Sequence, residues 1–368
     1  MKVAFDASSI AFKEKTGTGV YAEEFLKAYE KCFSDEDKIV HTYRLSRRIR
    51  GRKFLPPLTK NISRAILIDP ITSFKGREYD IFHGLNTRLP ILQHSKLVAT
   101  IHDLFSIFGA FSKPEFKEDQ TLKINQMLAR AHHIVVPATV IKNQFVSQLG
   151  YDSKKISVVP LGVRPNFLGP RNKLESQKVV WEKMGLNNPY IFFVGALEKR
   201  KNVAGLVGSF SRFAKDYKKP LDLVLGGHPG FEFEKIQSAI ENSGLKERIK
   251  ILGFVDVEIL KHLYSACEIF ILPSFEEGYG IPIIEAMACG APVISSNTTS
   301  LPEVGNGFSW LVDPNSESEM AHAMGEILNP GGQAIEKIRG GVAYAQTMSW
   351  EKVVKSTRKI YEALLENP

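Results

Sequence analysis

The sequence of 368 residues contains only three cysteines, Cys32, Cys267 and Cys289, and they lie far apart. A disulfide framework needs cysteines in even number at regular spacing, and structural zinc needs pairs such as C-x-x-C, so neither is expected. No apolar run approaches the roughly 18 residues of a membrane-spanning helix. The first residues, MKVAFDASSI, carry Asp6 where the apolar segment of a signal peptide would be. These absences predict a cytoplasmic protein with free thiols.

What the chain has instead is length and apolar content. Its 368 residues exceed what one hydrophobic core usually serves, and a hydrophobic fraction of 43% is enough for two. From Arg164 to about Lys183 strand periodicity is lost, and prolines with a Gly-Pro pair resemble a linker. We therefore predict a first domain over 1–168, a second over 169–349 and an amphipathic helix over 350–368.

The net charge of +8 is unevenly divided. Residues 1–168 hold 26 Lys and Arg against 16 Asp and Glu, whereas the other 200 residues hold 22 against 24. Much of the excess is concentrated between Arg44 and Lys53, in the string YRLSRRIRGRKF. A solvated loop or helix face is the first interpretation of this basic segment, and an anionic membrane surface is the favoured partner if the segment binds one. No nucleic-acid-binding motif accompanies it, so nucleic acid is not expected.

The most informative stretch is 271–292, ILPSFEEGYGIPIIEAMACGAP, where a strand-like pattern changes to a helical one. The apolar run Glu268–Leu272 predicts a strand, which Pro273 ends because proline cannot donate to a central ladder. The glycines of Gly278–Gly280 allow a close approach to a ligand. Pro282 suits the first turn of a helix, whose N-terminus favours an anion such as phosphate.

Glu277 and Glu285 lie on either side of this loop, with seven residues between them. Carboxylates accept hydrogen bonds from vicinal hydroxyls, which sugars carry. Taken singly, Glu277 could instead be a helix-capping residue and Glu285 a solvated one, but the loop between them favours a ligand. The stretch closely resembles the E-x7-E signature of the retaining glycosyltransferases of family 4. The resemblance implies an α/β protein of the GT-B fold, with two Rossmann-like domains whose parallel sheets face each other across a central cleft.

In that family the first glutamate and the glycine loop lie at the donor sugar and its phosphates, and the second glutamate binds the nucleotide ribose. The resemblance therefore gives Glu277 a catalytic role and Glu285 the ribose. The matching donor-binding positions of the loop are Gly278, Tyr279, Gly280 and Ile281.

Cations follow the next recognisable strand, in PYIFFVGALEKRKN. An Arg-Lys pair at the carboxyl end of a strand can neutralise a diphosphate, whereas on a helix face it would be a solvated pair. Lys201 matches the phosphate-binding lysine of the family. The arginine that many members carry five residues earlier is Ala196 here, so Arg200 is the candidate for its role. Gly253 and Val255 resemble a turn beside the donor base, or a plain strand end.

Near the start of the chain, Gly17, Thr18 and Gly19 lie between a predicted strand and an amphipathic helix. The glycines superficially match the dinucleotide fingerprint G-x-G-x-x-A, but about nine residues separate them from the strand, so a nicotinamide or flavin cofactor is not expected. In family 4 a glycine-rich loop here covers the donor phosphates, and these residues match it. The alternative is a flexible loop with a glycine at the helix start.

His102 and Asp103 directly follow another strand-like run, in TIHDLF. A histidine there can bind a sugar hydroxyl or assist proton transfer, or can simply be packed in a loop. The string resembles the bacterial polysaccharide mannosyltransferase branch, where this histidine lies beside the sugar, and Asp103 is assigned to donor binding with it.

The implied reaction is transfer of a sugar, mannose being favoured, from a nucleotide diphosphate sugar to a glycan or lipid-linked acceptor in cell-surface polysaccharide synthesis. GDP-mannose is the favoured donor and a UDP-sugar the alternative; no cofactor and no metal are expected. The D-x-D string Asp35-Glu36-Asp37 follows a helix and is interpreted as a solvated turn. The expected location is cytoplasmic, or peripheral on the inner face of the membrane. The alternatives on the same fold are a nucleotide-sugar epimerase, a phosphorylase or a silent sugar-binding protein.

Overall fold

The computed structural model describes residues 1–15, 17–51, 53, 55, 61–67, 79–111, 114–169, 172–329 and 332–366. The chain divides into two compact units. Unit 1 comprises Met1–Gly162 with Ser349–Pro368, and unit 2 comprises Val163–Met348. The division lies six residues before the predicted boundary.

Among its described residues, unit 1 contains a parallel sheet of seven strands in the order β3-β2-β1-β4-β5-β6-β7. The strands are β1 Lys2–Asp6, β2 Lys38–Arg44, β3 Ile62–Leu67, β4 Ile81–Gly84, β5 Lys96–Thr100, β6 His133–Val136 and β7 Ile156–Val158. The helices are α1 Gly17–Phe33, α2 Leu45–Arg50, α3 Phe105–Phe108, α4 Pro114–Leu128 and α5 Thr139–Leu149. The central strands β1, β4 and β5 are buried over nearly their whole length, as is usual for parallel sheets.

Unit 2 contains, over the part that the structure describes, a parallel sheet of six strands in the order β10-β9-β8-β11-β12-β13. The strands are β8 Tyr190–Val194, β9 Asp222–Gly226, β10 Ile249–Gly253, β11 Ile269–Leu272, β12 Val293–Ser296 and β13 Trp310–Val312. The helices are α6 Lys173–Met184, α7 Val203–Asp216, α8 Phe233–Asn242, α9 Val257–Ala266, α10 Ile281–Ala288, α11 Leu301–Gly305, α12 Glu317–Leu328 and α13 Gly332–Gln346. Both sheets reverse their strand order once, at β1/β4 and at β8/β11.

The last helix, α14 Trp350–Glu366, packs in unit 1 although the rest of that unit ends at residue 162. Its buried side chains include Trp350, Val353, Val354 and Tyr361. Tyr361 Oη lies 2.5 Å from Nδ1 of His83 on β4. The predicted amphipathic helix is therefore present, and one of its hydroxyls reaches the sheet.

Two predictions about irregular segments are wrong. Much of the predicted linker is the helix α6, because its prolines precede residue 172; the Asn172 side chain caps this helix by accepting from Glu175 N–H at 3.2 Å. Asp37 is not solvated: it is buried, accepts a hydrogen bond from Tyr29 Oη at 2.7 Å and lies 3.5 Å from Arg358 Nη2.

The basic segment 44–53 is described only in part. Arg44 ends β2, and the backbone from Leu45 to Arg50 forms α2. The side chains of Arg47, Arg48 and Arg50 and the whole of Arg52 lie outside the described residues. None of the described helices has the length and apolar character needed to cross a membrane.

Candidate active site

The loops that follow β8 and β11 come together in unit 2. These strands are hydrogen-bonded neighbours at the reversal of strand order, where the crevice outside the carboxyl edge of such a sheet forms. The loop after β8 ends in a 3₁₀ turn over Lys199–Lys201. Phe275 N–H, in the loop after β11, donates to the Arg200 carbonyl at 2.9 Å. The fold therefore joins the two segments that the sequence singled out.

Lys201, Arg200 and Glu277 form one charged cluster. Lys201 Nζ donates to Glu277 Oε1, and Arg200 Nη1 lies 3.8 Å from Glu277 Oε2. The Arg200 guanidinium is fixed further by the Glu276 carbonyl at 2.7 Å and by Glu198 Oε1 at 2.8 Å. The Lys201 side chain is 13% exposed and that of Glu277 is 11% exposed. Two cations are thus held in partly buried positions, where they act more strongly on an anion than they would in water.

Hydroxyl groups fix the loop around Glu277. The buried Ser274 Oγ–H donates to Glu277 Oε1 at 3.2 Å, and Glu277 N–H donates to Thr299 Oγ1 at 3.3 Å. Ser300 Oγ lies 2.9 Å and 3.1 Å from the carbonyl oxygens of Glu277 and Tyr279. Thr299 and Ser300 follow β12, the neighbour of β11. The carboxylate is therefore oriented before any ligand arrives.

Position 280 requires glycine. Its φ is +98°, and a Cβ there would lie 2.7 Å from Cδ2 of the buried Leu301. The helix α10 begins at the next residue, Ile281, with Pro282 in its first turn. Its positive dipole end therefore lies at the loop of Gly278–Gly280, as predicted.

Glu285, predicted to bind the ribose, lies inside unit 2. Its side chain is 2% exposed, and its two oxygens lie 2.5 Å and 2.9 Å from Nε and Nη2 of Arg164. Arg164 is 15% exposed and lies 4.5 Å from the centre of the Phe167 ring. The pair is bidentate, which is the strong geometry for arginine and carboxylate.

Gly253 ends β10, and Val255 follows two residues later, beside the end of β9. Gly253 has φ +70°, and its carbonyl accepts from Gly227 N–H at 2.7 Å. Val255 Cγ2 would lie 3.0 Å from a Cβ at Gly226. Both predicted positions are thus at the same sheet edge as Lys201.

The remaining predicted residues belong to unit 1. Gly17, Thr18 and Gly19 form the first turn of α1 rather than a loop before it. A Cβ at Gly19 would lie 3.1 Å from the Ser9 carbonyl oxygen, so this glycine allows the helix to approach the preceding turn. The predicted glycine loop before the helix is therefore wrong at these three residues, and the alternative of glycine at the helix start agrees with the structure.

His102 is held from two sides. Its Nε2 lies 3.2 Å from the Leu85 carbonyl, which can only accept, so the hydrogen is on Nε2 and Nδ1 carries the lone pair. The Tyr21 ring packs edge-on against it at 4.5 Å between centroids. Burial lowers the pKa of His102, although the Leu85 carbonyl and Asp103 oppose this shift. A neutral imidazole at neutral pH follows. Asp103 itself accepts from Phe105 N–H at 3.1 Å.

A buried hydrogen-bonded chain lies behind His102. Tyr21 Oη lies 3.0 Å from Thr100 Oγ1, and Thr100 Oγ1 lies 2.8 Å from Nε2 of His83. The other ring nitrogen of His83, Nδ1, is hydrogen-bonded to Tyr361 Oη. Burial lowers the pKa of His83 to about 3, so this histidine is neutral. These hydrogen bonds connect Tyr361 on α14 to Tyr21, whose ring packs on His102.

Two family models match most of the chain between them. The model "Glycosyltransferase Family 4" matches residues 24–167, and "Glycosyl transferases group 1" matches residues 181–338. The O-antigen chain mannosyltransferase B of Escherichia coli is 30% identical over 290 residues, which cover 77% of this chain and 74% of that protein. The chain belongs to glycosyltransferase family 4.

This glycosyltransferase resembles longer proteins as well. The serotype-specific mannosyltransferase WbdA of Escherichia coli is 25% identical over 277 residues, covering 74% of this chain but only 34% of WbdA. Solved structures with the same fold include sucrose-phosphate synthase from Thermosynechococcus elongatus, with a TM-score of 0.76 at 17% identity over 100% and 99% of the two chains. Anabaena HepE in complex with UDP-glucose gives 0.75 at 17% identity over 99% and 100%. The predicted GT-B fold is confirmed.

Sequence reasoning missed several residues that shape the site of this glycosyltransferase. Ser274, Thr299 and Ser300 orient Glu277, and Arg164 pairs with Glu285. The three hydroxyl residues could not be singled out, because serine and threonine in loops form no recognisable sequence motif here. The sequence does indicate that Glu285 needs a cationic partner such as Arg164. A glutamate in the apolar run IPIIEAMA is expected to be buried, and a buried carboxylate needs a partner.

Proposed function

We propose that this glycosyltransferase moves a mannosyl group from a nucleotide diphosphate sugar, GDP-mannose being favoured, to a glycan or lipid-linked acceptor in cell-surface polysaccharide synthesis. The observation that carries the proposal is the cluster of Lys201, Arg200 and Glu277 at the reversal point of the unit 2 sheet. The names of the O-antigen chain mannosyltransferase B and of WbdA support mannose as the sugar. The UDP-glucose in HepE supports a nucleotide-sugar donor.

The leaving diphosphate gains negative charge as the bond to the sugar breaks. Lys201 and Arg200, with the N-terminus of α10, supply positive charge that is already in place and needs no reorganisation. The proposed reaction therefore uses no metal ion. In this proposal Glu277 accepts hydrogen bonds from the donor sugar, and His102 binds a sugar hydroxyl through its Nδ1, both as the family resemblance implies. Retention at the anomeric carbon is proposed from the family resemblance.

Lys201→Ala tests the assignment. It should lower kcat by roughly 10²–10³, which corresponds to about 2.7–4 kcal/mol of transition-state stabilisation, and Lys201→Arg should restore only part of this. Lys199→Ala is the matched control, since Lys199 lies in the same 3₁₀ turn but is 44% exposed and pairs with Glu232 at 3.3 Å. Equal activities of the two alanine variants would remove Lys201 from the reaction.

Sugar transfer is measured with GDP-mannose, UDP-glucose and a TDP-sugar, each with and without acceptors. The anomeric configuration of the product, determined by NMR, tests retention, and activity in excess chelator tests metal independence. Conversion of the donor sugar without any acceptor would indicate an epimerase. Binding of donors without nucleotide release would indicate a silent sugar-binding protein.

A further inference from the structure

Unit 1 contains a cavity of about 520 Å³ at the carboxyl edge of its sheet. Asp6 and Arg44 end β1 and β2, Leu67 ends β3, and residues 87–90 follow β4; α4 and Arg130 form the opposite wall. The cavity thus spans β1 and β4, where the strand order reverses and where doubly wound sheets bind ligands. None of the residues assigned above to the donor lines it.

The wall of this cavity is strongly cationic. Among the described lining residues, the charged side chains are those of Arg44, Arg88, Lys123 and Arg130, against one carboxylate, Asp6. Asp6 is buried, and its Oδ1 accepts from Ser8 N–H at 2.9 Å. An excess of positive charge in a concave wall attracts anions.

Two of these arginines form no ion pair with any residue that the structure describes. The described ranges contain no ion-pair partner for Arg44 or Arg88, whereas Lys123 pairs with Asp119 and Arg130 donates to the Leu89 carbonyl at 3.3 Å. A guanidinium matches the oxygens of a phosphate group in a bidentate manner. Arg44 and Arg88 are therefore the residues suited to a phosphate.

The rest of the wall suits a hydroxylated body. Gln120, Gln126, Ser46 and Thr87 offer hydrogen bonds, and Leu45 and Met127 offer apolar contact. A volume of about 520 Å³ falls within the usual range for small-molecule sites. The wall thus combines phosphate-binding cations with groups that recognise sugar hydroxyls.

The segment Leu85–Thr87 connects the cavity to His102. The Leu85 carbonyl holds Nε2 of His102, and two residues later Thr87 enters the cavity wall. We propose that this cavity binds a phosphorylated acceptor, a mono- or disaccharide that carries a phosphate or diphosphate group. The proposal rests on the proposed glycosyl transfer and names the class of its acceptor.

Isothermal titration of the full chain with inorganic pyrophosphate tests the cavity without requiring activity. The wild type should bind in two sites, of which Lys201→Ala removes one. Arg44→Gln combined with Arg88→Gln should weaken the other about tenfold or more, as expected when hydrogen bonds to a charged group are lost. The exposed pair Lys154→Gln with Lys155→Gln, also in unit 1, is the control of equal charge.

Several results would overturn the proposal. Among them are retention of both sites in the arginine double variant, equal weakening in the lysine control, and binding of phosphatidylglycerol vesicles without binding of pyrophosphate. Displacement of the second pyrophosphate by mannose 1-phosphate indicates a free sugar phosphate, and displacement by a short prenyl diphosphate in detergent indicates a lipid-linked one. Either supports the shared chemistry, and displacement by neither contradicts it.

Failure of the proposed function would look different. If no nucleotide sugar is turned over, the glycosyl transfer is wrong, yet the titration still reports on the cavity. If transfer occurs, the arginine double variant should raise the acceptor KM by roughly tenfold or more, because the lost contacts bind the acceptor. Transfer with an unchanged acceptor KM would place the acceptor elsewhere.

Discussion

At the scale of single residues, the Glu285 carboxylate has an ion-pair partner, Arg164, in addition to the ribose that the sequence predicts for it. Both oxygens of Glu285 are engaged by the guanidinium, and the side chain is 2% exposed. Removing one partner from a buried ion pair leaves an uncompensated charge. A ribose that binds Glu285 must therefore share it with Arg164 or displace the arginine. Loss of donor affinity on mutation would not by itself demonstrate a ribose contact.

Glu285→Ala should lower the free energy of unfolding by roughly 3–5 kcal/mol because Arg164 is left buried without its partner. Glu268→Ala is the matched control: Glu268 pairs with Lys173 at 2.9 Å, but both side chains are more exposed, so its loss should stay within about 1 kcal/mol. Urea denaturation of both variants measures the difference. Equal losses would show that the Arg164 pair contributes no more than a surface pair.

How far the sequence predicts the site differs from residue to residue. Lys201 and Glu277 could be placed together because each follows an apolar strand, and carboxyl ends of neighbouring parallel strands share one edge. Asp37 could not be placed, because its partners Tyr29 and Arg358 lie on helices whose packing no local pattern encodes. The same holds for Arg44 and Arg88, which meet in a cavity only after three strands have paired.

At the scale of elements, glycines mark both ends of α10. Gly280 precedes it with φ +98°, and Gly290 follows it with φ +83°. The sequence predicted this helix within one or two residues because Pro282 and Gly290 punctuate it. It did not predict α6, because Gly169 and Pro170 suggested a linker while Asn172 supplied the cap just beyond them.

Gly280→Ala should cost more stability than Gly290→Ala. Both place a Cβ at positive φ, at about 1–2 kcal/mol each. At Gly290 the Cβ would meet open space, whereas at Gly280 it would lie 2.7 Å from Leu301 Cδ2, and that overlap in a packed region adds roughly 1–3 kcal/mol. Thermal unfolding and donor titration measure both. Donor affinity should fall only in Gly280→Ala, since the loop bearing Glu277 must shift; equal affinities would contradict this.

At the scale of the whole molecule, unit 1 is assembled from two distant parts of the chain. The periodicity of 350–368 predicted a helix, and its packing in unit 1 follows from its buried stripe. Two of its buried residues reach the surroundings of Tyr21. Trp350 packs beside the Tyr21 ring, and Tyr361 ends the series of hydrogen bonds that begins at Tyr21. The environment of His102 therefore depends on residues that lie 248 and 259 positions later in the sequence.

Deletion of residues 349–368 should therefore destabilise unit 1 and leave unit 2 folded. Trp350, Val353, Val354 and Tyr361 are buried, and burial of each such side chain contributes about 1.5–3 kcal/mol, which together rivals the stability of a typical domain. The deletion also removes Trp350, so the two remaining tryptophans, Trp181 and Trp310, both report on unit 2.

Tryptophan fluorescence of the shortened chain in urea should show a cooperative transition of unit 2, while amide hydrogen exchange should rise throughout residues 1–162. Tyr361→Phe is the control, because it keeps the buried ring and removes only the hydroxyl that meets His83. It should leave exchange in β7 unchanged and raise it near β4. Native exchange rates over 1–162 in the shortened chain would mean that unit 1 is complete without α14, and the dependence of His102 on this helix would then be wrong.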